Sequence, residues 1–162
     1  RALPPEIAVL HDIKIPIPKV TANVDHVIVS GRKVWLIDSK EWAAGFYWTA
    51  FGIAFRGWRR FKPAESGTMR MALSRFKTYT DRARIERPIV VIHCASKHKA
   101  VQIKLLRMAS ARVMTTAQFE RFLQRVASDA TPAEPTIVSS FRQLLNKEQT
   151  AKARRQPVAA SL

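Results

Sequence analysis

Cysteine is almost absent from this chain of 162 residues. The single thiol, Cys94, excludes an internal disulfide and a zinc site built from cysteines, and it fits a reducing compartment. Long apolar runs are also missing. The longest uncharged run, residues 42–55, is shorter than the roughly 20 residues that a membrane helix needs, and Gly45 and Gly52 interrupt it. We therefore expect no membrane segment in this chain and a cytoplasmic location in a bacterial cell, unless an anchor precedes Arg1.

Acidic side chains are scarce: the chain has 12 Asp and Glu but 28 Lys and Arg, which gives a formal net charge of +16. Residues 56–125 hold 17 of the basic side chains and only four acids. A concentrated positive field suits a polyanion, with nucleic acid the first candidate and an acidic membrane surface the second. A basic, well-solvated surface is the plain alternative. The residues we expect to contact nucleic acid are Arg56, Arg59, Arg60, Lys62, Arg70, Lys97 and Lys99.

The length suits one domain with a real core. Prolines followed by apolar residues in "LPPEIAVLHD" predict a short leading helix. Two β-rich runs, "NVDHVIVS" and "VWLIDSK", flank a glycine and predict a hairpin, and a second aromatic pair of runs extends or caps the sheet. Helical spacing in 68–86, an apolar strand at "RPIVVIHCA" and capping signals at 115 and 131 complete the pattern. The predicted fold is α/β, with a mixed central sheet flanked by helices.

The chemistry of interest lies in "DHVIVSGRKVWLIDSK", residues 25–40. Residues two apart on a strand face the same side, so Asp38 and Lys40 project together. Asp25 begins the partner strand and comes close to Asp38 if the two runs pair. Two converging carboxylates are unfavourable unless a cation compensates them, and oxygen ligands without Cys or His suit Mg²⁺ or Mn²⁺. A lysine beside such an ion can assist phosphodiester hydrolysis.

The Asp-x-Lys spacing alone has little specificity, because it occurs twice, as "DIK" at 12–14 and as "DSK" at 38–40. The first leads into a proline-broken stretch and has no acid at hairpin distance upstream, so we treat it as a chance match. For Asp25, Asp38 and Lys40, the residues by themselves leave two interpretations open. One is a metal-dependent hydrolytic site, and the other is a partly exposed ion pair at strand ends.

The order of a leading helix that carries a Glu, "VDHVIVSGRKVWLIDSK", an aromatic and Gly45 resembles the nuclease-related domain, NERD, of the PD-(D/E)xK, restriction-endonuclease-like superfamily. The resemblance covers residues 6–45, and "GWRR" further along is also similar. It implies a restriction-endonuclease-like core. It also implies that Asp25 and Asp38 are the two metal-binding acids, that Lys40 is the catalytic lysine, and that Glu6 completes the metal site. His26 fills the family's usual place after the aspartate, with a packing role favoured over a phosphate contact.

The resemblance further implies a Mg²⁺-dependent or Mn²⁺-dependent nuclease acting on DNA, with an endonuclease favoured over an exonuclease. The expected organisation is a NERD, PD-(D/E)xK-like nuclease domain at 1–127, a C-terminal helix packed on it at 128–150, and a loose basic tail at 151–162. The helical stretch "MRMALSRFKTY" lacks the glutamine that the family often carries there. Two alternatives stay open: a non-catalytic DNA-binding accessory of a DNA-transfer or plasmid-maintenance complex, and an RNA nuclease. No small-molecule cofactor is expected, and a homodimer would be natural for double-strand cutting although no motif requires it.

Overall fold

The computed structural model describes residues 3–17, 22–62, 65–96, 99–104, 106–108 and 110–145. These ranges contain helices α1 (Glu65–Tyr79), α2 (Thr116–Ser128) and α3 (Pro135–Arg142). The strands are β1 (Ala8–Lys14), β2 (Asn23–Ser30), β3 (Lys33–Trp42), β4 (Gly45–Ala50), β5 (Ile53–Arg56), β6 (Arg59–Phe61), β7 (Arg84–Ile85), β8 (Ile89–Cys94), β9 (Val101–Ile103) and β10 (Arg112–Thr115). Within the described ranges, no helix combines the length and the apolar character needed to cross a membrane.

The main sheet is mixed, with strand order β1-β2-β3-β8-β10 and β7 paired to the start of β3. β1, β2 and β3 form an antiparallel meander, whereas β3, β8 and β10 run parallel. The expected β2–β3 hairpin is confirmed, and it turns at Gly31 with φ of 55°. The parallel part carries the apolar run of β8, whose residues 89–92 are all buried, as expected of a strand covered on both faces.

Helices cover both faces of the main sheet. α1 and α3 bury Phe76 and Phe141 against one face, where the two rings lie 5.2 Å apart. α2 buries Phe122 and Val126 against the other face, together with Ile37 of β3. The fold is therefore α/β with a mixed sheet between helical layers, consistent with a restriction-endonuclease-like core, and the prediction of the fold class is confirmed.

A second sheet, with strand order β6-β5-β4-β9, follows the main one in the chain. The aromatic runs after Gly45 build it, so they neither extend the main sheet nor form a simple cap. Tyr47 and Phe61 on one side of this sheet pack against Trp42 at the end of β3, with ring centroids 4.7 Å from the Trp42 ring. This contact joins the second sheet to the core next to the C-terminal end of β3.

The predicted leading helix is wrong, because residues 8–14 form strand β1 at the edge of the main sheet. The antiparallel partner β2 supplies the hydrogen bonds that a helix would have made internally. Leu10 and Ile13 enter the core from this strand. A proline-led start with two apolar residues fits a helix locally, but burial against β2 decides the outcome, as often happens for short apolar runs.

The two helix starts near the C-terminal end differ in how they are capped. Thr115 and Gln118 make the predicted capping box at the start of α2, since each side chain accepts a hydrogen bond from the backbone N–H of the other. The second predicted capping signal is wrong, because α3 begins after Glu134, whose side chain makes no capping hydrogen bond. Thr131 instead donates its backbone N–H to Ser30 of β2. Residues 146–162, including the expected basic tail, lie outside the described ranges.

Candidate active site

The β2–β3 hairpin brings Asp25 and Asp38 to adjacent positions. The backbone register pairs His26 with Ile37, so Asp25 and Asp38 come next at the end of this ladder. The ladder does not continue past this point. Instead, the backbone N–H of Ser39 donates to Oδ2 of Asp25 at 2.6 Å. The Asp25 carboxylate thus takes the place of a backbone acceptor, and this short, charge-assisted bond fixes it against β3.

Asp38 is buried and held by the lysine two residues later. Its exposed fraction is 3%, and the Lys40 ammonium donates to its Oδ1 at 2.9 Å. The same ammonium lies 2.8 Å from Oδ2, although that oxygen is buried and accepts no hydrogen bond from the described residues. The side chain of Lys40 is 39% exposed, so its amine stands between the buried carboxylate and the solvent.

The surroundings of Asp38 change the pKa of its carboxyl group. Burial raises the pKa of Asp38 above its ordinary value of 3.8, the Lys40 ammonium acts in the opposite direction, and the neighbouring Asp25 raises the pKa again by charge repulsion and a shared hydrogen bond. The raised pKa means that Asp38 gives up its proton less readily than an ordinary carboxyl does. A divalent cation beside the two carboxyl groups would act in the opposite direction and favour the charged form.

Asp12 lies next to Asp25, although its "DIK" spacing by itself is typical of a chance match. It stands between His11, which pairs with His26, and Ile13, which pairs with Val24, so it is next to Asp25 across β1 and β2. Its backbone has φ of 54°, a conformation that Asp tolerates better than most residues. Asn23 donates to its Oδ1 at 2.7 Å, while its buried Oδ2 has no hydrogen-bond partner among the described residues.

Glu6 is not brought to the pair. It lies in a turn before β1, is exposed, and its backbone oxygen accepts from the N–H of Ala133 at 2.9 Å. Because β1 pairs Ala8 with Val29, Glu6 is near the Gly31 turn, at the opposite end of the hairpin from Asp25. Six strand residues separate these ends, which is about 20 Å at the usual rise.

His26 packs with a second histidine. Its Nδ1 lies 2.8 Å from Nδ1 of His11, and the two rings meet edge to face at 4.9 Å between centroids. Burial lowers the pKa of His26, and the positive charge that His11 can carry lowers it further, while Asp25 acts in the opposite direction. The His26 ring thus packs across β1 and β2, next to Asp25 in the chain.

The donor set offers two carboxylates at close range, and no set of three or more His, Cys, Asp or Glu side chains in the described ranges is arranged to hold a metal. Mg²⁺ commonly uses one or two protein carboxylates and completes its shell with water and substrate phosphate. The buried Oδ2 of Asp38, which lies 2.8 Å from the partly exposed Lys40 ammonium, would be available to such an ion once that ammonium moves aside. Asp25 and Asp38 are therefore a chemically suitable pair for Mg²⁺ or Mn²⁺.

The family model described as "Nuclease-related domain" matches residues 1–109. The chain belongs to this family. The match confirms the resemblance of residues 6–45 and extends it through α1 and β8, over more than half of this NERD protein. No curated protein and no solved structure matches the chain.

The basic residues selected from the sequence of this NERD protein take different positions. Arg59 and Arg60 on β6, the following Lys62, Arg70 on α1 and Lys99 are exposed. Arg56 on β5 is also exposed, but its guanidinium donates to the backbone oxygen of Ala44 at 2.8 and 3.3 Å. This bond ties the second sheet to the segment after β3, which gives Arg56 a structural contact. Lys97 lies outside the described residues.

Proposed function

We propose that this NERD protein is a Mg²⁺-dependent DNA nuclease, and that it cuts within strands as an endonuclease. The observation that supports this most directly is the convergence of the Asp25 and Asp38 carboxyl groups beside the Lys40 ammonium. A buried carboxyl with a raised pKa, a second acid and a cationic side chain at one point are typical of a functional site. Membership of the nuclease-related domain family agrees with this chemistry.

Asp25 and Asp38 would hold the ion, with Mn²⁺ as a substitute for Mg²⁺. When bound, the ion supplies positive charge to a phosphodiester and acidifies the attacking water. Ser39 keeps the Asp25 carboxylate oriented through its backbone N–H. Lys40, already 2.8–2.9 Å from both oxygens of Asp38, would place its ammonium where negative charge grows on the phosphate. Glu6, far along the hairpin, would take no part, and Asp12 is the nearer candidate for a third acid.

The exposed basic side chains would bind the DNA backbone. Arg59, Arg60, Lys62, Arg70 and Lys99 offer charge without the paired acids that would neutralise it, since the described ion pairs of the chain involve other residues. Contacts to phosphate fix position and carry little sequence information. We therefore expect weak sequence preference and binding that weakens steeply with salt.

The test compares cleavage of plasmid, linear duplex and single-stranded DNA, and of RNA, in Mg²⁺ and in EDTA. Lys40→Ala is expected to lower the cleavage rate by about 100- to 1,000-fold, the usual effect of losing one group that stabilises transition-state charge. Lys14→Ala is the matched control, because Lys14 is exposed and belongs to the other Asp-x-Lys motif. It is expected to keep the wild-type rate.

Other results of this cleavage test would each change a different part of the proposal. Cutting that persists in both Lys40→Ala and Asp38→Ala would remove the site assignment. Faster cutting of RNA than of DNA would make the protein an RNA nuclease. Salt-sensitive DNA binding without cutting of any substrate, in Mg²⁺ or Mn²⁺, would leave a DNA-binding accessory that has kept the fold.

A further inference from the structure

The outward side of the second sheet carries a row of aromatic side chains. The β4–β5 register pairs Trp48 with Phe55, and the β5–β6 register pairs Phe55 with Arg60, so these three residues share one side. Alternation along the strands adds Phe46 and Ile53 to the same side. We call this surface the aromatic face; it comprises Phe46, Trp48, Ile53, Phe55 and, from the β5–β6 turn, Trp58.

The aromatic face points away from the core. The other side of the same sheet packs Tyr47 and Phe61 on Trp42, whereas the members of the aromatic face are absent from both core clusters of the described residues. Phe46 and Ile53 are 39% and 37% exposed, Trp58 is 92% exposed, and Trp48 and Phe55 are partly buried. A cluster of apolar side chains that keeps this much contact with water indicates an interaction site.

The rings are held in a fixed arrangement. Trp48 stacks on Phe55 with centroids 4.8 Å apart and planes 21° from parallel, and Trp58 meets Trp48 edge to face at 6.1 Å. Trp48 also donates its indole N–H to the backbone oxygen of Gly57 at 2.7 Å. These contacts orient the rings before any partner arrives, which lowers the entropy lost on binding.

Positive charge surrounds the rings. Arg60 continues the Trp48–Phe55 row, and Lys62 follows directly after the end of β6. Lys104, which donates its backbone N–H to Tyr47 at 3.1 Å, continues β9 beside β4. All three are exposed. Flat rings with cations around them match the bases and phosphates of an unpaired nucleic-acid strand.

Phe51 provides a second, independent observation. It forms the β4–β5 turn with Gly52, and both have positive φ, 49° and 75°. Asn or Gly is the usual residue at such a position, and a bulky aromatic there is strained. The Phe51 side chain is fully exposed, so packing within the described protein does not offset the strain. Backbone strain that no packing contact compensates is typical of functional positions, so it indicates a function for the Phe51 ring.

We infer that the aromatic face, with Phe51 at its turn, binds single-stranded DNA by base stacking, while Arg60, Lys62 and Lys104 bind the phosphates. This inference rests on the proposed function and adds a preference for unpaired strands. Double-stranded DNA keeps its bases stacked on each other and offers the rings no partner, so the face discriminates between the two forms of the substrate.

The test measures binding of labelled single-stranded and duplex oligonucleotides of equal length by fluorescence anisotropy, in EDTA so that nothing is cut. Phe51→Asn creates an Asn-Gly turn that suits the local backbone, so a loss of binding in this variant cannot be attributed to unfolding. Trp58→Ala removes the most exposed ring of the face, and Trp58→Phe keeps a ring there. Tyr79→Ala is the control, because Tyr79 is an exposed aromatic on α1.

Phe51→Asn and Trp58→Ala are each expected to weaken single-strand affinity by about 5- to 150-fold, the range measured for single stacked bases. Duplex affinity should change much less, Trp58→Phe should retain most of the binding, and Tyr79→Ala should match the wild type. Equal effects of Trp58→Ala and Tyr79→Ala, or equal losses for single strands and duplex, would overturn the inference while leaving the proposed nuclease intact.

Two further outcomes distinguish a failure of this inference from a failure of the proposed function. Absence of binding to either form of DNA by the wild-type protein would overturn the proposed function itself. Binding of the wild type to vesicles of phosphatidylcholine and phosphatidylserine that is lost in Phe51→Asn, without any effect of this variant on single-strand affinity, would assign the face to a lipid surface and overturn the inference.

Discussion

Replacing Asp38 with Asn should have opposite effects on stability with and without Mg²⁺. In EDTA the wild-type protein must keep either a charge or a proton on a carboxyl that is 3% exposed and lies next to Asp25. Asn is neutral and nearly the same shape, so it removes the repulsion and still offers an oxygen to Lys40. We therefore expect a higher melting temperature for Asp38→Asn than for the wild type in EDTA.

Adding Mg²⁺ should reverse the order of the two melting temperatures, so that the wild type melts at a higher temperature than Asp38→Asn. An ion present at about 100 times its dissociation constant stabilises the folded state by about 2.7 kcal/mol. For a chain of 162 residues, each kcal/mol added to the free energy of unfolding raises the melting temperature by about 2–4 °C. The wild-type melting temperature should therefore rise by about 5–11 °C. Asp38→Asn lacks one of the two charged ligands and should show little rise at the same concentration.

Thermal melts followed by circular dichroism provide the assay, with Ca²⁺ and Na⁺ at matched ionic strength as controls for screening. Lys14→Ala, an exposed change on β1, should respond to Mg²⁺ like the wild type. An equal Mg²⁺-induced rise in the wild type and in Asp38→Asn would show that Asp38 is not a ligand. A lower melting temperature for Asp38→Asn in EDTA would refute the argument that the buried carboxyl is unfavourable without a cation.

Four further results are expected. The stability advantage of Asp38→Asn in EDTA should grow as pH rises from about 3.8 through the raised pKa of Asp38 and stay constant above it, because the folded wild type binds the proton more tightly than the unfolded chain; melts across pH check this. Asp12→Asn should weaken Mg²⁺ affinity in calorimetric titration while Glu6→Gln leaves it unchanged, and the reverse order would restore the original assignment of Glu6. Arg60→Ala should reduce the slope of log affinity against log salt for DNA by about 0.7–0.9, the share of one phosphate contact, and an unchanged slope would remove Arg60 from the interface. Thr115→Ala should lower the free energy of unfolding by about 0.5–2 kcal/mol in urea titration, since it removes the capping box of α2.

The candidate site combines two acids in fixed positions with a cation that can move. Asp25 is fixed by the backbone N–H of Ser39, and Asp38 is fixed by burial in β3. Lys40 is partly exposed, so its ammonium can leave Asp38 when another anion arrives. An arrangement of rigid acids with a movable cation suits a site in which an ion and a phosphate enter together, and this is the behaviour that the proposed nuclease requires.

Local patterns determined much of this protein. The glycine between two β-rich runs predicted the β2–β3 hairpin, and the hairpin places Asp25 opposite Asp38, so this part of the site follows from residues 23–42 alone. The Thr115–Gln118 capping box and the apolar strand β8 could also be predicted from the sequence, because the residues that define them are neighbours along the chain. The excess of basic residues is likewise evident from the composition, without knowledge of the fold.

Tertiary pairing decided the rest. Whether residues 8–14 form a helix or a strand depended on the partner β2, and that choice moved Glu6 away from the site and brought Asp12 beside Asp25. The side of the second sheet that faces water was set by the contact of Tyr47 and Phe61 with Trp42. Sequence patterns describe how a residue interacts with its neighbours along the chain, whereas strand register and burial depend on contacts between distant segments, which only the assembled fold defines.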